Sequence, residues 1–250
     1  MSDLSLGHQK NFRFSMDEAK AVIAGYCFGM CALEWHPQAG CPAIANPPVG
    51  RRRAAWAYTV YDCVPRTAGP LDLRDVLLTA GLNSRISQRS AAAVFEVLRD
   101  VNEVLVTLTV EGPDLVLFWE QDPADLASPP PGSPAEKMWQ AWQLLVGAEG
   151  VRTAIAHKIL HHKRPAQFPL LDSMTAACYP KAAAWSGICE ELQRHESEFV
   201  ELERWFEALA HEHTGTALTR LRLHDILLWT ARTGQDRQAA ECGRKVLAAR

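Results

Sequence analysis

Apolar residues recur every three or four positions along most of the chain, the spacing that gathers them on one face of an α-helix. Val76, Leu77 and Ala80 do so within 72–82, and Val94, Val97, Leu98 and Val101 do so within 87–106. Ser15 with Glu18 three residues on forms a capping box, which opens a predicted helix over Met16 to Leu33. A second box, Ser133 with Glu136, has Pro134 at the first helical position; Met138, Trp139, Trp142, Leu145 and Val146 then share an apolar core face. Further helices are predicted over 150–163, 173–178, 182–194, 197–213, 216–232 and 235–248, divided by Pro165, Pro180, His195, Gly215 and Gly234. Residues 51–62 fit a short helix better than an edge strand. Two short apolar runs around Gly-Pro-Asp, within 107–119, suggest a small hairpin.

Prolines set the breaks. Pro37, Pro42, Pro47 and Pro48 make 35–50 a loop, and the run DPADLASPPPGSP makes 121–134 the best internal linker. Neither a βαβ alternation nor a repeat of 20–50 residues is present. The expected fold class is therefore mainly α, a multi-helix fold with at most one small β-hairpin. It is expected to form a single globular domain, 1–250, of two helical lobes with the proline-rich connection at 121–134.

Composition changes this picture little. Charged residues are 22% and hydrophobic residues 48% of 250, the balance of an ordinary globular protein, which excludes wholesale disorder. No run approaches the roughly 20 apolar residues of a membrane span, and the opening segment lacks a signal-peptide core. Seven scattered cysteines fit reduced thiols, so a cytoplasmic protein is expected. The net charge of −3 argues against coating a polyanion, yet the charge is uneven. Residues 150–171 hold Arg152, Lys158, Lys163 and Arg164 without an acid, whereas 190–212 hold eight Glu against two Arg. A basic strip on an acidic background can be a local anion site.

That strip lies in GVRTAIAHKILHHKRPAQFPLLDS, 150–173, where a helix opened by glycine leads through a proline loop to an aspartate. The order resembles the helix-hairpin-helix DNA glycosylase superfamily. The resemblance implies a glycosylase-like bilobal helical fold, with Gly150, Thr153 and Ala154 at the hairpin end and helix start, and Asp172 as the catalytic aspartate. Arg152 stands where lyase-type members place a nucleophilic lysine, 20 residues before Asp172. A guanidinium stays protonated and forms no Schiff base, so the implied activity is that of a monofunctional glycosylase. Glu149 also departs from the pattern, placing a carboxylate beside a loop that should approach phosphate. HKILHHKRPAQFPLLDS and LRLHDILLW are similar, over about Ala55 to Thr230, to an uncharacterised family of bacterial domains of unknown function, which brings no activity.

On the functional reading, Gly150 and Thr153 hold a phosphate while Arg152, Lys158, His161, His162, Lys163 and Arg164 supply donors and counter-charge. Asp172 then acts as general base or as partner of a developing sugar cation. A plainer reading stays open: Asp172 before Ser173 is an ordinary N-cap, and the lysines form a solvated helix face. The expected partner is nucleic acid or a nucleotide-like ligand, tRNA included. Two other classes remain: a tailoring transferase acting on a small nucleoside or using an aminoacyl-tRNA, and a non-catalytic interaction module. Whether the chain is an enzyme, and its oligomeric state, stay open at this stage.

No cofactor or metal is expected. Cys27, Cys31, His36 and Cys41 have ligand-type side chains but lack the usual Cys-x-x-Cys pair, and His157 with His161 supplies two ligands where zinc needs more. Asp225, between apolar residues in LRLHDILLW, needs a buried partner such as Arg220 or Arg222.

Overall fold

A computed structural model describes residues 3–29, 57–66, 69–82, 84, 86–109, 115–180 and 183–249. The chain is mainly α with one small antiparallel hairpin. It divides into two compact units: Met1–Val64 with His195–Arg250, and the continuous Pro65–Arg194.

In the first unit, β1 (Leu4–Leu6) pairs with β2 (Phe12–Phe14), Leu4 opposite Phe14 and Leu6 opposite Phe12. Alternation puts Leu4, Leu6 and Phe14 on the buried face. Gly7 (φ 75°) and Asn11 (φ 49°) turn the chain between them, residue types that tolerate left-handed backbone. Ser15 then caps α1 (Met16–Ala24) by accepting from the Glu18 amide, and the helix widens into a π-helical turn over Gly25–Gly29. A second π-helical turn spans Tyr58–Asp62. The unit is completed by α9 (Glu196–Glu212), α10 (Arg220–Arg232) and α11 (Asp236–Ala248).

Helices α1 and α11 meet backbone to backbone. A Cβ on Gly25 would lie 1.8 Å from the Ala239 carbonyl oxygen, and one on Gly243 would lie 1.7 Å from that of Ala21. No rotamer change relieves a clash with main chain, so only glycine fits at either position. Beside this crossing, Arg222 is buried with its charge fully matched. Its Nε and Nη2 donate to Asp62 at 2.9 Å, its Nη1 pairs with Asp225, and the Tyr26 hydroxyl lies 3.1 Å from Nη2. Of the two arginines expected for Asp225, Arg222 is thus the partner, while Arg220 pairs with Glu203.

The second unit holds α2 (Leu73–Leu78), α3 (Gln88–Leu105), α4 (Pro123–Ala127), α5 (Pro134–Gly147), α6 (Thr153–Lys163), α7 (Ser173–Ala176) and α8 (Ala184–Arg194). Its core is aromatic: Trp185 stacks on Trp139 at 4.6 Å and meets Phe118, Phe168 and His157 edge-on. The helices expected at 72–82, 87–106 and 150–163 stand within a few residues of their predicted ends, and the one expected to open at Ser133 does so.

Two expectations meet the described residues only in part. The hairpin described lies at 4–14; of the one expected within 107–119, residues 110–114 fall outside the described residues, while Val116 N donates to the Thr109 carbonyl at 3.2 Å and Phe118–Glu120 is a 3-10 turn. The connection expected at 121–134 is not where the units divide. Its prolines start helices: Asp122 caps α4 with Pro123 at its first turn, and Ser133 caps α5 with Pro134. Leu126 between them is fully buried, and its carbonyl accepts from Trp139 Nε1 at 2.9 Å.

The α1–α11 crossing is open to test. Gly25→Ala and Gly243→Ala should each lower stability by about 3 kcal/mol or abolish folding. Gly147→Ala, in α5 with no neighbour within 4 Å of its added carbon, should instead raise it by up to about 1 kcal/mol. Urea midpoints of the three variants decide between these outcomes.

Candidate functional site

The basic strip of the sequence folds inward. Most of α6 is buried, including His157, Lys158, His161, His162 and Lys163. Lys158 reaches across to the 3-10 turn Thr79–Leu82 that follows α2, donating to the Leu82 carbonyl at 2.7 Å and to Ser84 Oγ just beyond it at 3.0 Å. His161 Nδ1 is 2.7 Å from the Phe168 carbonyl, and His157 Nδ1 is 3.0 Å from that of Pro169. Carbonyl oxygens only accept, so each ring carries its proton at Nδ1. These contacts fold the proline loop 164–171 back along its own helix.

Asp75 organises the far end of α6. Asp72 and Asp75 form a reciprocal capping box at the start of α2, in which Asp75 Oδ2 accepts from the Asp72 amide at 3.0 Å. The same carboxylate meets His162 Nδ1 at 3.0 Å through Oδ1 and Lys163 Nζ at 3.4 Å through Oδ2, with all three side chains no more than 2% exposed. Desolvation by burial pushes the Asp75 carboxyl up, but the His162 hydrogen bond, the Asp72 amide and the Lys163 charge outweigh it, leaving the carboxyl below its ordinary range. Asp75 was not singled out in the sequence. The signal available was the D-L-R-D spacing of a capping box, which predicts a helix start and nothing about a partner 87 residues away.

Next to this pair a cleft of about 200 Å³ opens, lined by Leu115, Lys163, Arg164, Pro165, Ala166 and Gln167. Arg164 closes α6, and its Nε is buried without a hydrogen-bond partner among the described residues. Burial pulls its guanidinium below the ordinary arginine range, while Asp75 acts in the opposite sense. Gln167 is only 1% exposed. Its Nε2 donates to the Thr109 carbonyl at 2.8 Å, which leaves Oε1 buried and likewise unmatched among the described residues. Both residues line the cleft, and each carries a buried polar atom unmatched among the described residues, which costs stability.

The remaining predicted site residues are placed elsewhere. Gly150 (φ 72°) lets the α5–α6 turn pass α3, since a Cβ there would lie 2.4 Å from Ser90 Oγ. Arg152 and Thr153 are exposed at the start of α6, where Arg152 makes no side-chain cap. The Glu149 carboxylate is paired with Arg89. Asp172 caps α7, accepting from the Met174 and Thr175 amides at 2.8 and 3.0 Å, and does not line the cleft. The structure therefore brings His162, Lys163 and Arg164 together around Asp75, while Asp172 is not among the residues that line the cleft.

Cys31, His36 and Cys41 lie outside the described residues, and burial pushes the Cys27 thiol well up. Among the described residues, no group of three or more His, Cys, Asp or Glu side chains is placed to hold a metal ion. No helix among them is long and apolar enough to cross a membrane.

Residues 48–232 match the profile of DUF6308, a family of unknown function. The chain belongs to this family. The DUF6308 match takes in the whole second unit, so Asp75, α6 and the cleft lie within it. It supports the uncharacterised domain family read from HKILHHKRPAQFPLLDS and carries no activity. Searches of curated proteins and of solved structures found no match.

Acid should act on this region through His157. Burial lowers its pKa from 6.5 to about 4, so above pH 6.5 the ring is neutral in both folded and unfolded chains. As pH falls from 6.5 to 4 the unfolded chain takes up a proton that the folded chain refuses. By pH 4 this should cost about 3 kcal/mol. Asp75 adds a loss at still lower pH, as protonation of its depressed carboxyl breaks the His162 and Lys163 contacts. His157→Gln, which keeps a donor for Pro169, should flatten the melting-temperature profile between pH 6.5 and 4; an unchanged profile would exclude His157 as its source.

Proposed function

We propose that this DUF6308 chain binds a small phosphate-bearing ligand of the nucleotide class, with Arg164 in the 163–167 cleft as its charge contact. The observation that carries this reading is the half-buried Arg164 at the wall of an open cleft, with its Nε unmatched among the described residues. A guanidinium presents donors in a planar fork that fits two oxygens of a phosphate, and a partly desolvated guanidinium gains most from a counter-anion. Lys163 adds positive charge at the same wall, although Asp75 compensates it.

A polynucleotide fits less well. Tracking a strand needs several exposed cations in a row, whereas Lys158 and Lys163 are internal and already engaged. Asp172 contributes its carboxylate to the cap of α7. A catalytic role for it, as the glycosylase resemblance implies, has no support from its surroundings.

Titration with a nucleoside monophosphate, followed by calorimetry or amide spectra, tests the reading. Arg164→Ala should weaken binding by about tenfold or more, the usual loss for a charge-assisted hydrogen bond. Asp172→Asn should change neither stability nor binding, since asparagine caps a helix nearly as well. Binding that survives Arg164→Ala, or tighter binding to single-stranded nucleic acid with a log–log salt slope steeper than about −3, would overturn the proposal.

A further inference from the structure

The size of the cleft limits how much of a ligand it can enclose. Its volume of about 200 Å³ is room for roughly seven water-sized groups at about 30 Å³ each. A pocket that encloses a whole drug-sized ligand measures about 300–1,000 Å³. A phosphate with the first carbons of its ester fills the smaller space, and a nucleobase beyond them lies outside it. The walls agree with the volume. Lys163 and Arg164 bring positive charge, and Leu115, Pro165 and Ala166 bring aliphatic surface suited to sugar carbons. A base is held instead by a flat ring to stack on or by polar groups that reach its edge. Among the described residues no aromatic side chain lines the cleft, and Gln167, the amide side chain there, is 1% exposed with its Nε2 given to the Thr109 carbonyl at 2.8 Å.

We infer that the cleft reads only the phosphorylated end of its ligand, the phosphate and the sugar carbons next to it, and leaves the base outside. Its ligands are therefore sugar phosphates as a class, with a nucleotide bound through the same end and its base unselected. The inference rests on the proposed anion site and names its ligand class. A site specific for nucleotides predicts a different order, in which a sugar phosphate without a base binds far more weakly than the nucleotide.

The test titrates the full chain, at matched ionic strength and pH 7, with adenosine 5′-monophosphate, uridine 5′-monophosphate, ribose 5-phosphate and adenosine. A stacked base is worth at least about fivefold in affinity, which sets the dividing line. The three phosphates should bind within about fivefold of one another, and adenosine should bind at least about tenfold more weakly than its monophosphate. Arg164→Ala should weaken all three phosphates by about tenfold or more. The wild-type series stands without the variant if Arg164→Ala fails to fold. A preference of more than about fivefold for either nucleotide over ribose 5-phosphate, with Arg164→Ala still weakening all three, would overturn the inference and leave the anion site intact. If no phosphate binds, if adenosine binds as tightly as its monophosphate, or if the phosphates bind undiminished in Arg164→Ala, both proposals fail.

Discussion

A carboxylate taken out of water is costly unless cations and donors meet it, and in the second unit Asp75 is met by His162, Lys163 and the Asp72 amide. The pairing has two consequences for architecture. It ties the first turn of α2 to the last turn of α6, two elements far apart in sequence. It also fixes which way the end of α6 faces, because neighbouring residues His162 and Lys163 must both reach one carboxylate. Arg164, one step further, is carried past Asp75 into the cleft. The unmatched guanidinium edge is therefore a result of packing elsewhere, held in place by a pair that leaves it no partner of its own.

The helical framework was legible because its signals are local. The capping boxes read at Ser15 and Ser133, the N-cap read at Asp172, proline at the first helical position and three-to-four spacing of apolar residues all act within one or two turns. The hairpin escaped notice for the same reason in reverse: strands of three residues, Leu4–Leu6 and Phe12–Phe14, give too few alternations to stand out. What a proline does depends on its position. In 121–134 two of them sit at first helical turns and help fold the segment into the core.

The candidate site was half legible. Lys163 and Arg164 were visible as charge, and they do reach the cleft. Burial was not visible, and it decides what each cation can do. Lys158 and Lys163 lie five residues apart on one helix, yet one is held by a carbonyl and a hydroxyl and the other by a carboxylate. Asp75 and Gln167 could not be found from the sequence, since their importance comes from contacts across 87 and 58 residues. The unmatched atoms belong to the fold rather than to any motif.

The glycine contact between α1 and α11 also sets a schedule. Gly25 and Gly243 are more than 200 residues apart, so at roughly 5–20 residues per second the ribosome needs on the order of 10–40 s to supply the second surface after the first. Val22 and Ile23, fully buried in the finished unit, spend that interval waiting for it. The continuous 65–194 segment can collapse around its tryptophans in the meantime. A nascent chain of this protein therefore passes through a stage in which the second unit is folded while α1, an apolar helix without its main packing partner, is the part most in need of a chaperone.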